Sequence, residues 1–172
     1  MLETLSPIRH EYFDGEIYAM AGGTPEHAAL VFRVLLVIGS QLPGGCQGFT
    51  SDLRVRTATG LTTYPDGTIV CGDLQRALED RIAVTNPVVL IEVTSKSTED
   101  YDRGVKLLHY QSIASLKEVV IVSHRERRIS IHRRDATGGW ISLDAVIGES
   151  VTLESIGATV SVDDVYRAAP QS

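Results

Sequence analysis

Glu92 is the one carboxylate in an otherwise aliphatic run, NPVVLIEV, residues 86–93. A run of that kind suits a central strand covered on both faces. A carboxylate there must be paired, hydrogen-bonded or bound to a cation, because an isolated buried charge is too costly. An ordinary ion pair would meet that demand without any function. Asp66, in Tyr64-Pro65-Asp66-Gly67 at the head of an earlier strand, offers a second acid. Two carboxylates at the ends of adjacent strands suit Mg2+ or Mn2+, since such a cation takes one or two acids and completes its shell with water and phosphate oxygens. Pro-Asp-Gly is equally a common turn.

Lys106 follows on the next helical segment. From Glu92 to the strand exit near Ser95 is roughly 10 Å at the strand rise, and from a helix start near Asp100 to Lys106 is roughly 9 Å at the helical rise. A helix folding back over the strand therefore brings ammonium and carboxylate to similar depth. There the ammonium can orient or help deprotonate a water and offset charge building on phosphate. Glu99 or Asp102 could instead hold it as an ordinary helical pair. His27, in the helix start Pro25-Glu26-His27, can reach a site carboxylate or a substrate, or simply satisfy local backbone.

These side chains need a scaffold, and the order of elements supplies one. HEYFDGEIYAM, residues 10–20, reads as a β-hairpin turning at Asp14-Gly15, a dipeptide that accepts the positive φ of a tight turn. Thr24 as N-cap, Pro25 at the first helical position and Glu26 in the first turn open a helix that continues to Gly44-Gly45. It is apolar nearly all round and is expected to be buried. Strands are expected around 46–49, 53–57, the segment TTYPDGTIVCGD, 88–93, 117–122 and 140–143, with 74–81 a short helix or loop. Ser97 or Thr98 caps a helix through YDRGVKLLHYQSI, with Glu99 and Asp100 near its positive end. The tail SVDDVYRAA reads as a short terminal helix. A mixed α/β (α+β) sheet flanked by helices, in one domain spanning 1–172, is the economical assembly.

Composition bounds the rest. With 172 residues, 43% hydrophobic and 22% charged, the chain is long enough for one sizeable core and has the balance of a globular protein. The longest apolar run, 28–38, is broken by Arg33 and is far short of the roughly 20 residues that span a bilayer. The first residues show no signal-peptide pattern, so a cytoplasmic location is expected. Cys46 and Cys71 have no Cys or His at metal-ligand spacing, and neither a zinc site nor a disulfide is expected of them. A net charge of −6 excludes indiscriminate attraction to polyanions, so any nucleic-acid contact must be local. RERRISIHRR is the one basic island. In strand alternation Arg128, Ser130, His132 and Arg134 share a face that could contact phosphates; the same charges would also protect an edge strand from aggregation.

Taken together, Asp14-Gly15-Glu16, Pro25-x-His27, Pro65-Asp66, the segment Glu92-Val-Thr-Ser95-Lys96-Ser97-Thr98, Lys106 and Tyr110 resemble the Uma-type endonucleases of the PD-(D/E)xK, restriction-endonuclease-like superfamily. The resemblance covers about residues 8–165. It implies a mixed central sheet between helices, Asp66 and Glu92 as Mg2+ (or Mn2+) ligands, and a catalytic lysine. In the superfamily's ordinary pattern that lysine stands two positions after the glutamate, where this chain has Thr94. Lys106 matches a variant whose lysine has migrated to the following helix, and Lys96 is the rival. Lys96 also replaces a proline common at that point of the family, which bears on the exit loop and not on the acids. Glu16, His27 and Tyr110 would line the site, DNA would be the substrate, and a homodimer is suggested by analogy. Two other readings stand beside this one: a catalytically silent module that binds nucleic acid or protein, and a hydrolase of another phosphate ester.

Overall fold

The central run 88–93 does become the middle of a sheet. The computed structural model of the chain describes residues 10–13, 16–19 and 23–167, with Phe13 and 16–19 described by backbone alone. The elements in chain order are β1 (His10–Phe13), β2 (Glu16–Ala19), α1 (Pro25–Gly39), β3 (Cys46–Thr50), β4 (Arg54–Arg56), β5 (Thr62–Thr63), β6 (Gly67–Cys71), β7 (Ala83–Val84), β8 (Val89–Val93), α2 (Glu99–Arg103), α3 (Val105–Gln111), β9 (Glu118–Val122), β10 (Arg128–Arg134), β11 (Trp140–Val146), β12 (Ser150–Leu153), β13 (Ala158–Ser161) and α4 (Val162–Val165). A six-stranded sheet runs in the order β11-β10-β9-β8-β6-β3, and a five-stranded sheet in the order β2-β1-β5-β4-β7. β8 pairs parallel with β9 and antiparallel with β6, so the larger sheet is mixed. The α+β class expected from the element order is the one found.

Alternation along β8 divides its side chains between two cores. Val89, Ile91 and Val93 join Leu30, Val34 and Ile38 of α1, the β12–β13 hairpin and α4 on one face. Leu90 points to the other, where Leu107, Tyr110, Ile113 and Leu116 pack from α3 and the turn that follows it. Glu92 shares the Leu90 face, because alternate strand residues point the same way.

Four expectations need correction. α1 opens as read, with the Thr24 hydroxyl accepting from the His27 N–H, but it ends at Gly39. Pro43 explains the early stop, since it disfavours helix at the residue before it. Nor is α1 wholly buried. The stripe Leu30, Val34, Ile38 is fully covered and Val31, Leu35 and Val37 are half-buried beside it, while Phe32 (65% exposed) and Leu36 (49%) face outward, because the helix rests on a single sheet face. The second helical segment breaks at Gly104, whose backbone (φ −109, ψ −104) leaves the helical region. A Cβ there would meet the Asp100 carbonyl at 2.7 Å, so the close approach of backbone to backbone favours glycine. Finally, Cys46 and Cys71 form a disulfide. The antiparallel β3–β6 register sets them directly opposite each other with Cα atoms 4.0 Å apart, and linear spacing carried no hint of that pairing.

The Asp14-Gly15 turn lies outside the described residues; β1 and β2 on either side of it pair antiparallel, with Phe13 opposite Glu16. Among the described residues no helix is long and apolar enough to cross a membrane.

Candidate functional site

Two strands and a helix meet at Glu92. The β6–β8 register pairs Gly67 with Ile91, so one step further along both strands Asp66 stands across from Glu92. Asp66 is held there by the Val93 N–H, which donates to its Oδ2 at 2.8 Å. Gly67 is buried and begins β6, so this Pro-Asp-Gly is a strand entry and not a turn. A Cβ at Gly67 would meet Leu35 Cδ2 at 2.4 Å, which is why α1 can cross so close to the site.

α3 supplies the cation. Lys106 and Tyr110, four residues apart on α3, share one helical face, and Asp102 reaches the same spot from α2. Lys106 is 4% exposed, and its Nζ lies 3.0 Å from Glu92 Oε1, 3.0 Å from Glu11 Oε1 and 3.5 Å from Asp102 Oδ1. The Tyr110 hydroxyl donates to Glu92 Oε1, and the ammonium sits 5.9 Å from the ring centres of both Tyr101 and Tyr110. Position 94, the usual place for a lysine, is closed: the Thr94 hydroxyl is fully buried and bonded to the His124 N–H and Nδ1.

His27 completes the other side. Its Nε2 is 2.9 Å from the Val93 carbonyl and 3.6 Å from Asp66 Oδ2. A carbonyl only accepts, so Nε2 carries the proton. Asp66 beside it holds the imidazole above its ordinary range, against the opposing effect of burial.

The electrostatics show a surplus of negative charge. Burial pushes Glu92 up to about 8, with Asp102 and Asp66 adding to the rise and Lys106 and Tyr110 opposing it. Burial also raises Asp102. Lys106 would be lowered by burial alone, but Glu92, Glu11 and Asp102 outweigh that and hold it well above an ordinary lysine. It is therefore an ammonium. Glu11, Asp66, Glu92 and Asp102 face one lysine and one histidine, and a group of acids so poorly compensated is a fit place for a further cation. Among the described residues no three His, Cys, Asp or Glu side chains converge as a ready-made metal cage. The donor set is instead one or two carboxylates, the number Mg2+ takes when it keeps most of its own water shell.

The structure thus brings Glu92, Lys106 and Tyr110 into direct contact and sets Asp66 with His27 alongside. Lys96 is exposed on the exit loop and outside this cluster. Glu16 starts β2, and its side chain is not among those described. Arg128 and Arg134 are otherwise engaged. Arg128 binds Asp144 at 3.0 Å, and Arg134 donates to the carbonyls of Gln111, Ile113 and Leu116 while stacking on Trp140. The cause is position: the face of β10 that carries Arg134 lies against the end of α3. Sequence reasoning missed Glu11 altogether. Its one signal was alternation with Phe13 in the hairpin strand, which put an acid on an apolar side.

Comparison with known proteins bears on the family and the fold. Residues 2–163 match the Uma2 family model, described as "Putative restriction endonuclease". An uncharacterized protein of Synechocystis sp., slr1290, is 35% identical over 92% of this chain and 84% of its own. A second Synechocystis protein, sll1609, is 27% identical over 85% of this chain and 83% of its own. The crystal structure of "a putative nuclease belonging to DUF820" from Anabaena variabilis superposes with a TM-score of 0.74 at 18% identity, covering 94% of this chain and 91% of that one, and so shares its fold. The chain belongs to the Uma2 family.

Proposed function

We propose that this protein is a divalent-metal-dependent endonuclease that hydrolyses DNA phosphodiester bonds at the Asp66–Glu92–Lys106 cluster. The observation that carries the reading is the pairing of a strand carboxylate, Glu92, with an ammonium 3.0 Å away, beside a second acid on the adjoining strand and with more carboxyl groups than the lysine and histidine can pair. Asp66 and Glu92 would hold Mg2+ or Mn2+. When bound, that ion would polarise a phosphoryl oxygen and lower the pKa of a water. The protein's own groups do the rest. The Val93 N–H orients Asp66, and the Tyr110 hydroxyl holds the Glu92 carboxylate by its Oε1. Lys106, as a permanent ammonium, donates to the attacking water or to phosphate oxygens and offsets their growing charge; it does not act as a base. The attacking water gives a proton to bulk solvent and its oxygen bonds to phosphorus as the P–O ester bond opposite it breaks, and the leaving oxygen takes up a proton from solvent.

Nicking of supercoiled plasmid with Mg2+ or Mn2+ tests this, with Asp66→Ala and Lys106→Ala beside the parent. The expected result is divalent-dependent nicking by the parent and at least about a hundredfold loss in each variant. Nicking that survives both changes would remove the site assignment. A parent that neither nicks nor binds Mn2+ in calorimetry would instead favour the silent binding module, a reading to which the near-complete burial of Lys106 and Glu92 lends weight.

A further inference from the structure

The N-terminal hairpin contributes a buried acid that the proposed chemistry does not use. Glu11, on β1, is 6% exposed. It accepts from the Thr63 hydroxyl on β5, from Tyr101 on α2 and from Lys106 on α3, whose Nζ lies 3.0 Å away. Three elements besides its own strand therefore grip one carboxylate, and two of its three partners, Thr63 and Tyr101, carry no charge. A buried acid with one cation and two fixed donors has a defined position and little freedom to leave it.

We propose that Glu11 is the positioning residue for Lys106, holding the ammonium in place while Glu92 is occupied elsewhere. The inference rests on reading Glu92 as a cation ligand. In the structure Lys106 is shared between Glu92 and Glu11 at equal distance, 3.0 Å. A carboxylate that turns an oxygen to a divalent ion gives up much of its hold on a neighbouring ammonium, because the ion competes for the same lone pairs and repels the like charge. Lys106 would then keep Asp102, at 3.5 Å and on α2, and Glu11. Asp102 lies four residues before Lys106, across the Gly104 break, and pulls the side chain back toward α2. Glu11 comes from a separate sheet and is braced by Thr63, so it opposes that pull. Its effect is to keep the ammonium over the strand edge where Asp66 and Glu92 end, and a misplacement of about 1 Å there is enough to cost a hundredfold in rate.

The test separates this role from mere packing and from the metal reading itself. Glu11→Gln keeps the size and one acceptor oxygen but loses the charge, Glu11→Asp keeps the charge on a shorter stem, and Thr63→Val loosens Glu11 without touching Lys106. Three quantities are measured: Mg2+ affinity by calorimetry, kcat and KM for plasmid nicking, and the slowly exchanging 1H–15N ammonium signal of Lys106, assigned by its loss in Lys106→Met. Expected for Glu11→Gln are Mg2+ affinity and KM near the parent's, kcat about 10- to 100-fold lower, and an ammonium signal that is present without Mg2+ and vanishes on adding it. Glu11→Asp should recover part of the rate, and Thr63→Val should fall between. An ammonium signal indifferent to Mg2+ with unchanged kcat in Glu11→Gln overturns the proposal. So does a loss of kcat that follows melting temperature across the three variants, since that is what packing alone would give. Absence of Mg2+ binding by the parent is the separate failure, of the metal reading, and takes this proposal with it.

Discussion

Replacing Glu92 by glutamine should make the metal-free protein more stable at alkaline pH while removing its proposed activity. Burial raises the Glu92 carboxyl from an ordinary 4.5 to about 8, so the folded chain holds a proton in a range where the unfolded chain has released it. Stability linked to that proton is complete below about 4.5 and drains away as pH rises through 8. At about 1.4 kcal/mol per pH unit, a gap from 4.5 to about 8 corresponds to roughly 5 kcal/mol, and relaxation around the charge returns part of it, leaving roughly 3–5 kcal/mol. Asp102 is shifted the same way and adds to the slope. Lys106, held well above the ordinary lysine range, stays charged throughout the window and contributes none. Glutamine keeps an oxygen for the Tyr110 hydroxyl and for Lys106 but has no proton to lose. Thermal melts from pH 5 to 8.5 in chelator should therefore nearly coincide at pH 5 and separate by roughly 10 °C at pH 8.5, with the variant higher. Mg2+ should flatten the parent's curve and leave the variant's unchanged. Parallel curves for parent and variant would show that Glu92 ionises freely and that the buried-charge argument is wrong.

Lys106→Met should be harsher, because it leaves Glu11, Glu92 and Asp102 without their shared cation; a loss of about 3–5 kcal/mol in urea melts at pH 7 is expected. Glu118→Ala, outside the site, should cost about 2–4 kcal/mol by leaving Arg133 Nε and two backbone N–H groups without their acceptor, with Mg2+ affinity in calorimetry unchanged. Gly67→Ala forces Leu35 or the strand to move, since the new Cβ would lie 2.4 Å from Leu35 Cδ2; a cost of about 1–3 kcal/mol, with weaker divalent binding because Asp66 is adjacent, should appear in the same two assays. Cys46→Ser/Cys71→Ser opens a loop with a sequence separation of 25 and should lower stability by up to roughly 3–4 kcal/mol under non-reducing conditions, while dithiothreitol should depress the parent's melt and not the variant's.

Strong local signals carried most of the fold. Thr24, Pro25 and Glu26 opened α1 as their types require, and the aliphatic runs became β8 and β9, every residue of each buried. The β12–β13 hairpin had no such signal, and its pairing rests on tertiary neighbours. Gly104 looked like one weak residue inside a helix, yet its non-helical backbone divides that helix in two. The disulfide was illegible for a related reason. Whether two cysteines meet depends on the register of β3 against β6, and that register is set by everything packed around the two strands.

Glu92 and Glu118 show why half of the site was readable and half was not. Both are glutamates in aliphatic strands, both are buried, and the strands are parallel neighbours that pair Val89 with Glu118. From sequence, burial predicts only that each needs partners. Glu118 finds Arg133 at 2.8 Å, the N–H groups of Glu154 and Ser155 at 3.1 Å each, and the Ser155 hydroxyl. It is saturated by donors, and it fastens the β12–β13 hairpin to the sheet. Glu92 finds one tyrosine, one shared lysine and two acids near enough to raise it. An acid laced with neutral donors and an arginine has nothing left to bind. An acid crowded by other acids is stabilised by anything positive that arrives. The distinction between a structural carboxylate and a reactive one thus lies in the balance of donors and acceptors around it. That balance is assembled here from β1, β6, β8 and α3, elements that only folding brings together.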